Sequence, residues 1–361
     1  MQQDIRFCKA RDGVQLAYAT SGEGPPLVMS TTWLTHLEYQ WRSLAWRPWL
    51  DAFGRDNTLL RHDSRGCGLS DRDAPNLSFE SWVSDFARVV DAASFDRFAI
   101  VGTCWGGPVA MEYAARHPER VSRLILYGTY ARGRLRRPDQ PREIERSRVL
   151  LQLMELGWGQ ETHSLTRMWA SAFQPDGGLD HQCSWAEQMH RATSSETAAH
   201  LLQIGWETDV QETARNVKCP VLIIHPEGDR VAPLDEGLLL ASLIPNCRFV
   251  QLKSDNHMPL REEPAWLQLV EEVRRFLAEP APEAGGRNLL PIEVLTPRER
   301  AVLEGIAEGL DNTEIAASLG MSAKTVRNHI TRVFDKIGVE HRYQAIVRAR
   351  DAGLGRRAEV R

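Results

Sequence analysis

Three residues that lie far apart in the sequence, Cys104, Asp229 and His257, are of the types that together form an activated nucleophile. A thiol becomes a strong nucleophile when an imidazole takes its proton, and a carboxylate can hold and charge-balance the resulting imidazolium. In such a set, His257 would take the proton of Cys104 and Asp229 would orient His257; the segments around these residues support this assignment. The alternative for an isolated cysteine is a small, inert, buried hydrophobe.

The residues around Cys104 favour the reactive interpretation. Residues 101–107 read VGTCWGG, so an apolar strand enters a tight turn and a helix begins at about Gly106. This stretch resembles the nucleophile elbow G-x-S-x-G of the α/β-hydrolases, with cysteine at the serine position. Some enzymes of this fold, such as the dienelactone hydrolases, use cysteine there. The resemblance covers about residues 10–276 and implies an α/β fold with a mostly parallel sheet and a helical cap.

Two later segments carry the other members of the triad. Residues 223–233, IIHPEGDRVAP, resemble the strand and loop that deliver the family's acid, here Asp229. Residues 254–260, SDNHMPL, resemble the loop of the catalytic histidine, here His257, and the chain order nucleophile, acid, histidine fits the fold. The alternative for Asp229 is an ordinary surface turn. Residues 61–71 resemble the family's D-x-R-G-x-G-x-S turn, which we expect to be structural.

The sequence departs from the family in the loop that helps to bind an oxyanion. Thr31 and Thr32 stand where the family usually has His-Gly. The resemblance implies oxyanion contacts from the backbone N–H of Trp105 and from a second N–H near Trp33. Loss of one such donor typically lowers the rate by about 10²–10³-fold. The sequence therefore leaves open whether this domain turns substrate over, reacts slowly or only binds.

Strands alternate with helices between residues 14 and 276, which favours a mostly parallel sheet covered on both faces. The predicted core strands are 26–30, 57–62, 98–101, 121–127, 221–225 and 247–252. Residues 130–215 form a helix-rich insertion that we interpret as the cap. Its large aromatic residues form the cap core or line an apolar, aromatic pocket suited to an acyl or aromatic molecule; they are Trp158, Trp169, Phe173, Trp185 and Trp206. For the four arginines that begin the cap, a solvated surface is favoured over an anion-binding site; they are Arg132, Arg134, Arg136 and Arg137.

The C-terminal residues 295–354 show a different pattern, that of four short helices. Thr296 and Glu299 are placed to form a capping box at a helix start, and Gly309 ends that helix. Gly320 forms a turn between the second and third helices. The helices are predicted to begin at Pro297, to cover 313–319, to follow the cap residue Ser322, and to cover about 342–352.

This run resembles the LuxR-type helix-turn-helix domain along essentially its full length. The resemblance places the third helix in the major groove of double-stranded DNA and makes the fourth helix a dimerisation helix. It implies base-edge contacts from Arg327, Asn328 and Thr331. It implies phosphate contacts from Lys324, Thr325, His329 and Arg332. The alternative is a solvated helix face, since residues 293–361 hold twelve Lys/Arg against ten Asp/Glu.

Length and composition bound the remaining possibilities. The chain of 361 residues with a net charge of −4 predicts two domains and gives no global nucleic-acid signal. We expect an α/β-hydrolase-like domain over 1–277, a Pro- and Gly-rich linker over 278–291 and the helix-turn-helix domain over 292–361. The six scattered cysteines predict free thiols in a reducing cytoplasm. There is no signal-peptide pattern, no apolar run long enough for a membrane span and no metal or nucleotide motif, so we expect no membrane association and no cofactor.

We therefore predict a cytoplasmic transcription regulator that binds DNA as a homodimer and senses a small ester, lactone or acyl compound, with RNA polymerase as a candidate partner. A second hypothesis is a working cysteine hydrolase whose turnover or covalent intermediate is the signal. A third is a sensor of oxidants or electrophiles that react with the Cys104 thiolate.

Overall fold

The computed structural model describes residues 1–137, 140–158, 164–279, 295–337, 339 and 342–355. An eight-stranded sheet forms its centre, with strand order β1-β2-β4-β3-β5-β6-β7-β8. Strands β3 to β8 run parallel to one another, whereas β2 is antiparallel to both β1 and β4. The strands are β1 Gln3–Lys9, β2 Gln15–Ser21, β3 Pro26–Met29, β4 Thr58–His62, β5 Phe98–Thr103, β6 Val121–Tyr127, β7 Val221–Pro226 and β8 Cys247–Leu252.

The mostly parallel sheet predicted from the sequence is confirmed, but the first two strands were not foreseen. Strands β5 and β7 are buried at every position, and such continuous apolar runs are typical of a sheet covered on both faces. Strand β1 lies at the edge of the sheet and has no fully buried residue. Its Phe7 is largely exposed, so its hydrophobic pattern carries little information about the core.

The described part of the chain contains fifteen α-helices. Eleven of them belong to the same part of the chain as the sheet, and four form the C-terminal region. Those that flank the sheet are α1 Leu37–Arg42, α2 Arg47–Gly54, α3 Phe79–Ala92, α4 Gly106–Arg116, α10 Leu234–Leu243 and α11 Pro264–Ala278. The segment between β6 and β7 holds α5 Gln140–Gly157, α6 Ser164–Phe173, α7 Leu179–Ala192, α8 Ser195–Glu207 and α9 Gln211–Arg215. The last four are α12 Pro297–Ala307, α13 Asn312–Leu319, α14 Ala323–Ile337 and α15 Arg342–Asp351.

The buried apolar residues form two principal clusters. The larger cluster combines the sheet with its flanking helices and the helices between β6 and β7. The smaller one is built from α12 to α15 alone, around residues such as Val302, Ile306, Val326 and Val333. Most of the predicted linker, 278–291, falls on residues 280–294, which lie outside the described residues, so the domain limits remain predictions.

The C-terminal helices begin and end where the local sequence directs them. Thr296 caps α12, and Glu299 returns a hydrogen bond to the Thr296 N–H, which completes the capping box. Gly320 ends α13 in the left-handed region, with φ of 64°, which a residue without a Cβ adopts without strain. Ser322 accepts a hydrogen bond from the Thr325 N–H at the start of α14. No helix among the described residues is both long and apolar enough to cross a bilayer.

Candidate active site and candidate DNA-binding helix

Cys104 occupies a sharp turn between β5 and α4. Its φ of 49° is one of three positive values at non-glycine positions in the described chain, and it marks a strained backbone. The Cys104 N–H donates to the Tyr127 carbonyl at 3.0 Å, and the Thr129 hydroxyl donates to the Cys104 carbonyl at 2.5 Å. These two bonds, from Tyr127 at the end of β6 and from Thr129 two residues later, hold the turn so that the Cys104 side chain lies at the carboxyl edge of the sheet.

Gly106 is required because the loop after β3 passes directly over it. A Cβ on Gly106 would lie 2.5 Å from the Thr31 carbonyl oxygen and 3.0 Å from the Ser30 hydroxyl. A backbone oxygen cannot move aside cheaply, so the glycine after the nucleophile position allows the turn and the β3 loop to approach each other. The two loops that carry Trp33 and Cys104 thereby become neighbours.

Asp229 and His257 lie against each other beneath the turn. The Nδ1 of His257 is 2.6 Å from Asp229 Oδ2, and both side chains are buried. Asp229 Oδ1 accepts from the backbone N–H groups of Val231 at 2.8 Å and Ala232 at 3.0 Å, which fixes the carboxylate. Because Nδ1 is bound to Asp229, the other ring nitrogen of His257 is left for Cys104, which lines the same cavity.

The electrostatics of this pair favour the charged imidazolium. Burial lowers the pKa of His257, but the negative charges of Asp229 and Cys104 and the hydrogen bonds to both raise it to about 10. Burial raises the pKa of Asp229, but the charge of His257 and its hydrogen bond outweigh this effect and leave the pKa lowered. An imidazolium beside a sulfur stabilises the thiolate form, which is the nucleophilic form of cysteine.

A second buried histidine supports the acid and was missed by the sequence analysis. His225 Nε2 lies 2.8 Å from the Ala232 carbonyl and 3.8 Å from Asp229 Oδ2. Burial lowers the pKa of His225, so the ring is neutral and Nε2–H donates to Ala232. The loop whose N–H groups hold Asp229 is therefore itself held by His225, which sits at the end of β7.

The loop of His257 is bonded to the helices that follow β6. Gln174 Nε2 donates to the Met258 carbonyl at 2.9 Å, and the Met258 N–H donates to the Phe173 carbonyl at 3.2 Å. Asn256 makes a reciprocal pair with Asp176, since Asn256 Oδ1 accepts from the Asp176 N–H and Asn256 Nδ2 donates to the Asp176 carboxylate. These contacts join residues about 80 positions apart. No local sequence pattern predicts them.

Two cavities of very different size meet at Cys104. The first, of about 20 Å³, lies between Cys104, His257, Trp46 and Trp185, and holds about one water molecule. The second, of about 570 Å³, lies on the side of the α5–α8 helices. Trp33, Cys104 and Phe173 line both. The sequence left open whether the cap tryptophans form the core or line a pocket, and both occur. Trp169 and Trp206 line the larger cavity, whereas Trp158 is buried in the core.

The two residues whose backbone N–H groups are expected to bind an oxyanion, Trp33 and Trp105, both line the larger cavity. The N–H groups of Trp105, at the start of α4, and of Trp33 have no hydrogen-bond acceptor among the described residues. The side chain of Trp33 is anchored separately, since its Nε1–H donates to the Ala198 carbonyl at 3.2 Å. The indole rings of Trp33 and Trp105 are in contact, with centroids 5.4 Å apart. The Thr31-Thr32 path thus leaves both N–H groups unpaired within the described part of the chain.

The arginines that begin the cap correct an expectation. Arg136 is exposed, as a solvated surface requires, but Arg134 and Arg137 line the larger cavity beside Cys104. Arg132 pairs with the buried Glu236 of α10 at 2.8 Å. The sequence could not separate the four, because their environment depends on where the α5–α8 helices fold over the sheet. Among the described residues, no three His, Cys, Asp or Glu side chains converge as metal ligands do.

Helix α14 is amphipathic and exposes a polar face. Val326, Val333 and Ile337 face the small core. His329 is half-buried, and the other six residues predicted to contact DNA are exposed: Lys324, Thr325, Arg327, Asn328, Thr331 and Arg332. The Thr331 hydroxyl donates to the Arg327 carbonyl within the helix. Lys336 lies farther along the same helix and is engaged internally, at 2.7 Å from Glu299 of α12.

Comparison with known families identifies both parts of the chain. Residues 25–264 match the model of the α/β hydrolase fold, and residues 293–349 match the model of the bacterial regulatory proteins of the luxR family. The chain belongs to the α/β-hydrolase fold family. It carries in addition a C-terminal helix-turn-helix domain of the luxR type, so the fusion predicted from the two sets of motifs is confirmed.

Relatives of this α/β-hydrolase-fold protein include hydrolases named for different substrates. A putative carbamate hydrolase from Azorhizobium caulinodans is 25% identical over 247 residues, which are 67% of this chain and 88% of the relative. A 2-hydroxymuconate semialdehyde hydrolase from Pseudomonas putida is 30% identical over 231 residues, or 60% and 73%. An esterase structure from Exiguobacterium antarcticum superimposes with a TM-score of 0.64 at 21% identity, over 76% of this chain and 99% of that chain. At that identity the structural likeness shows the fold alone.

In this α/β-hydrolase the D-x-R-G turn has the structural role expected of it. Asp63 Oδ2 accepts from the N–H groups of Leu37 at 3.2 Å and Leu69 at 2.9 Å. Arg65 is buried and binds both oxygens of Asp85, at 2.6 and 2.7 Å. Neither Asp63 nor Arg65 lines the cavities beside Cys104.

Proposed function

We propose that this protein is a DNA-binding transcription regulator whose α/β-hydrolase domain senses a small ester, lactone or acyl compound. One observation carries the proposal: an assembled Cys104–His257–Asp229 constellation opens onto a ligand-sized cavity in the same chain as a luxR-type domain. A cavity of about 570 Å³ is within the range that drug-sized ligands occupy. The exposed polar face of α14 has the side chains that read base edges and phosphates.

A ligand regulates DNA binding only if it binds two states of the protein with different affinity. In the hydrolase-fold domain, hydrogen bonds connect a helix of the cavity wall to the His257 loop, which would let a bound ligand favour one state. The end of α6 is hydrogen-bonded to the His257 loop through Gln174 and Phe173, and both Phe173 and His257 border the space around Cys104. A ligand that displaces α6 therefore disturbs the loop. We further propose that the protein acts as a homodimer in the cytoplasm, where it meets the chromosome and RNA polymerase. Its two domains would cover residues 1–277 and 292–361.

Selection of duplexes from a random pool by the full-length protein tests the DNA-binding claim. The selected duplex and a random duplex are then compared at moderate salt, because phosphate contacts alone give affinity without sequence preference. We expect at least a hundred-fold preference for the selected duplex, which is within the range of specific binding. Asn328→Ala should reduce it, and the charge-changing control Arg215→Ala, on α9 far along the chain, should not. Selection that enriches no sequence contradicts the proposal.

A second candidate function is hydrolysis, and the charged Asp229–His257 pair with unpaired N–H groups at Trp105 and Trp33 favours it. The Cys104 sulfur attacks the carbonyl carbon of an ester and forms a C–S bond. The ester C–O bond then breaks, and the leaving alkoxide takes the proton of His257. Water next loses a proton to His257 and attacks the thioester carbon. The C–S bond then breaks, which releases the acid and restores the Cys104 thiolate beside the protonated His257. The N–H groups of Trp105 and Trp33 bind the oxyanion in both steps.

Turnover of p-nitrophenyl esters of increasing acyl length separates the two functions. A steady rate in the wild type that Cys104→Ala abolishes identifies a working hydrolase. One equivalent of p-nitrophenol followed by no further release identifies a protein that captures its acyl ligand covalently. No release above background at any acyl length rules out hydrolysis and leaves the sensor proposal with non-covalent binding.

A further inference from the structure

The larger cavity must hold most of any ligand that reaches Cys104. The smaller cavity has room for about one water molecule, at about 20 Å³, whereas the larger measures about 570 Å³. Its walls combine aromatic rings, including those of Trp105, Trp169 and Trp206, with charged groups. A ligand that places its carbonyl carbon beside the sulfur therefore extends towards the α5–α8 helices.

The charges along this wall are predominantly positive. Among the described residues that line the cavity, Arg134, Arg137 and Arg230 face one carboxylate, that of Glu143. Arg137 is well shielded from solvent, since its side chain is 18% exposed. Burial lowers the pKa of Arg137, which reflects the free energy needed to keep a guanidinium charged in a place with little water. Such a charge is stable when an anion neutralises it.

Among the described residues, the two carboxylates that act on Arg137, those of Glu236 and Glu143, are already engaged by other arginines. Glu236 accepts from the Arg132 N–H at 2.9 Å and from the Arg132 guanidinium at 2.8 and 3.1 Å. Glu143 binds Arg134 through one oxygen, at 2.6 Å, and Arg146 through the other, at 2.9 Å. Arg137 Nε lies 3.9 Å from Glu236 and donates instead to the Arg132 carbonyl at 3.2 Å.

The two terminal nitrogens of Arg137 thus have no acceptor within the described residues. They carry the donors that bind a carboxylate in a bidentate manner. The guanidinium also lies over the Tyr130 ring, 5.9 Å from its centroid, and Arg134 lies 5.5 Å from the centroid of Trp206. Stacking of this kind orients the planar groups along the cavity wall.

We propose that the ligand of this site carries a carboxylate, which Arg137 binds in the larger cavity while the carbonyl of the same ligand faces Cys104. Arg134 and Arg230 add positive charge around it. The inference rests on the proposed ligand-binding role of the domain and narrows the ligand class to acyl compounds with a second, anionic end. A neutral ester or lactone gives the terminal nitrogens of Arg137 no charged acceptor and binds more weakly.

The test is a direct binding measurement without DNA or turnover. All eleven tryptophans lie at or before Trp266, so tryptophan fluorescence of the full chain reports on the hydrolase-fold domain alone. The probes are phenylpropanoate, phenylbutyrate and phenylhexanoate, each compared with its primary amide, which has the same shape without the charge. The proteins are the wild type, Arg137→Gln and the control Arg136→Gln, which removes the same charge from the exposed neighbour.

We expect at least one carboxylate to bind the wild type about ten-fold or more tightly than its amide, as charge-assisted hydrogen bonds imply. Arg137→Gln should reduce this ratio to near one, and Arg136→Gln should preserve it. Arg137→Lys keeps the positive charge without the planar pair of terminal nitrogens and should give an intermediate ratio. This variant provides the test if the glutamine variant does not fold. Each of three results overturns the inference. The acid and its amide bind with equal affinity, Arg137→Gln and Arg136→Gln reduce the acid-to-amide ratio equally, or no carboxylate binds at millimolar concentration. Because no DNA is present, these results are independent of the selection experiment.

Discussion

Gln174 Nε2 donates a hydrogen bond to the Met258 carbonyl at 2.9 Å, and this contact fixes the end of α6 to the residue after the triad histidine. Gln174 is fully engaged, because its Oε1 accepts from Trp185 Nε1 at 2.9 Å and lies 3.1 Å from His181 Nδ1. The helices that enclose the cavity and the loop that carries His257 therefore form one hydrogen-bonded unit.

Gln174→Ala should destabilise the hydrolase-fold domain by about 1–3 kcal/mol, because it leaves the buried Trp185 N–H and the Met258 carbonyl unsatisfied. Urea unfolding followed by tryptophan fluorescence measures the change. The control is Gln203→Ala on α8, an exposed glutamine that pairs with Glu207, for which we expect a change within about 0.5 kcal/mol. Equal effects of the two substitutions would show that the Gln174 contacts contribute nothing specific.

Raising the pH should remove the stabilisation that His257 and Asp229 give each other. The pKa of His257 rises from 6.5 to about 10 on folding, so the folded state keeps a proton that the unfolded state loses. The stabilisation is complete below about pH 6.5 and is lost as the pH approaches 10. The difference in free energy of unfolding between the wild type and His257→Gln should therefore shrink between about pH 6.5 and about pH 10. A difference that stays constant over that interval argues against a charged pair.

Arg65→Met should destabilise the protein by about 3–5 kcal/mol, since it leaves the buried Asp85 carboxylate without its partner. Arg148→Met removes an exposed arginine that pairs with the exposed Glu145 at 3.1 Å, and it should have an effect below about 1 kcal/mol. Both changes are read from urea unfolding by tryptophan fluorescence. If the two variants are equally stable, the turn of residues 61–71 does not have the structural role that its buried ion pair indicates.

The predicted roles on α14 separate base reading from phosphate binding. Arg327→Ala should lower the preference for the selected duplex over random DNA by about 1–3 kcal/mol, because a base-edge contact acts on sequence. Arg332→Ala should weaken binding to both duplexes alike and reduce the slope of log affinity against log salt by about one. Fluorescence anisotropy with labelled duplexes measures both effects. If Arg332→Ala lost sequence preference and Arg327→Ala kept it, the predicted roles of the two arginines would be exchanged.

The sequence was most informative where function depends on residues close together in the chain. The turn around Cys104 and the capping box of Thr296 and Glu299 are set by neighbouring residues, so their motifs could be read directly. Asp229 and His257 were found because each lies in a local segment typical of the fold. In each case the structural result follows from backbone constraints on a few adjacent residues.

The parts that escaped prediction depend on contacts between distant segments. His225 gains its role only when the end of β7 folds beside Ala232 and Asp229. The surroundings of Arg137 depend on the Glu236 carboxylate of α10, which pairs at 2.8 Å with Arg132 and lies 3.9 Å from Arg137. No spacing rule in the sequence specifies which arginine it binds. Strand β1 was missed because an exposed edge strand needs few buried side chains.

The central claim is that the cavity beside Cys104 governs DNA binding by the luxR-type domain. The most direct test is genome-wide DNA occupancy of the wild type, Arg137→Gln and Arg136→Gln, produced at equal levels in the same cells. The account predicts that Arg137→Gln changes occupancy at the sites that the wild type binds, while Arg136→Gln reproduces the wild-type profile. Identical profiles for all three proteins would contradict the account, because the cavity would then have no part in regulation.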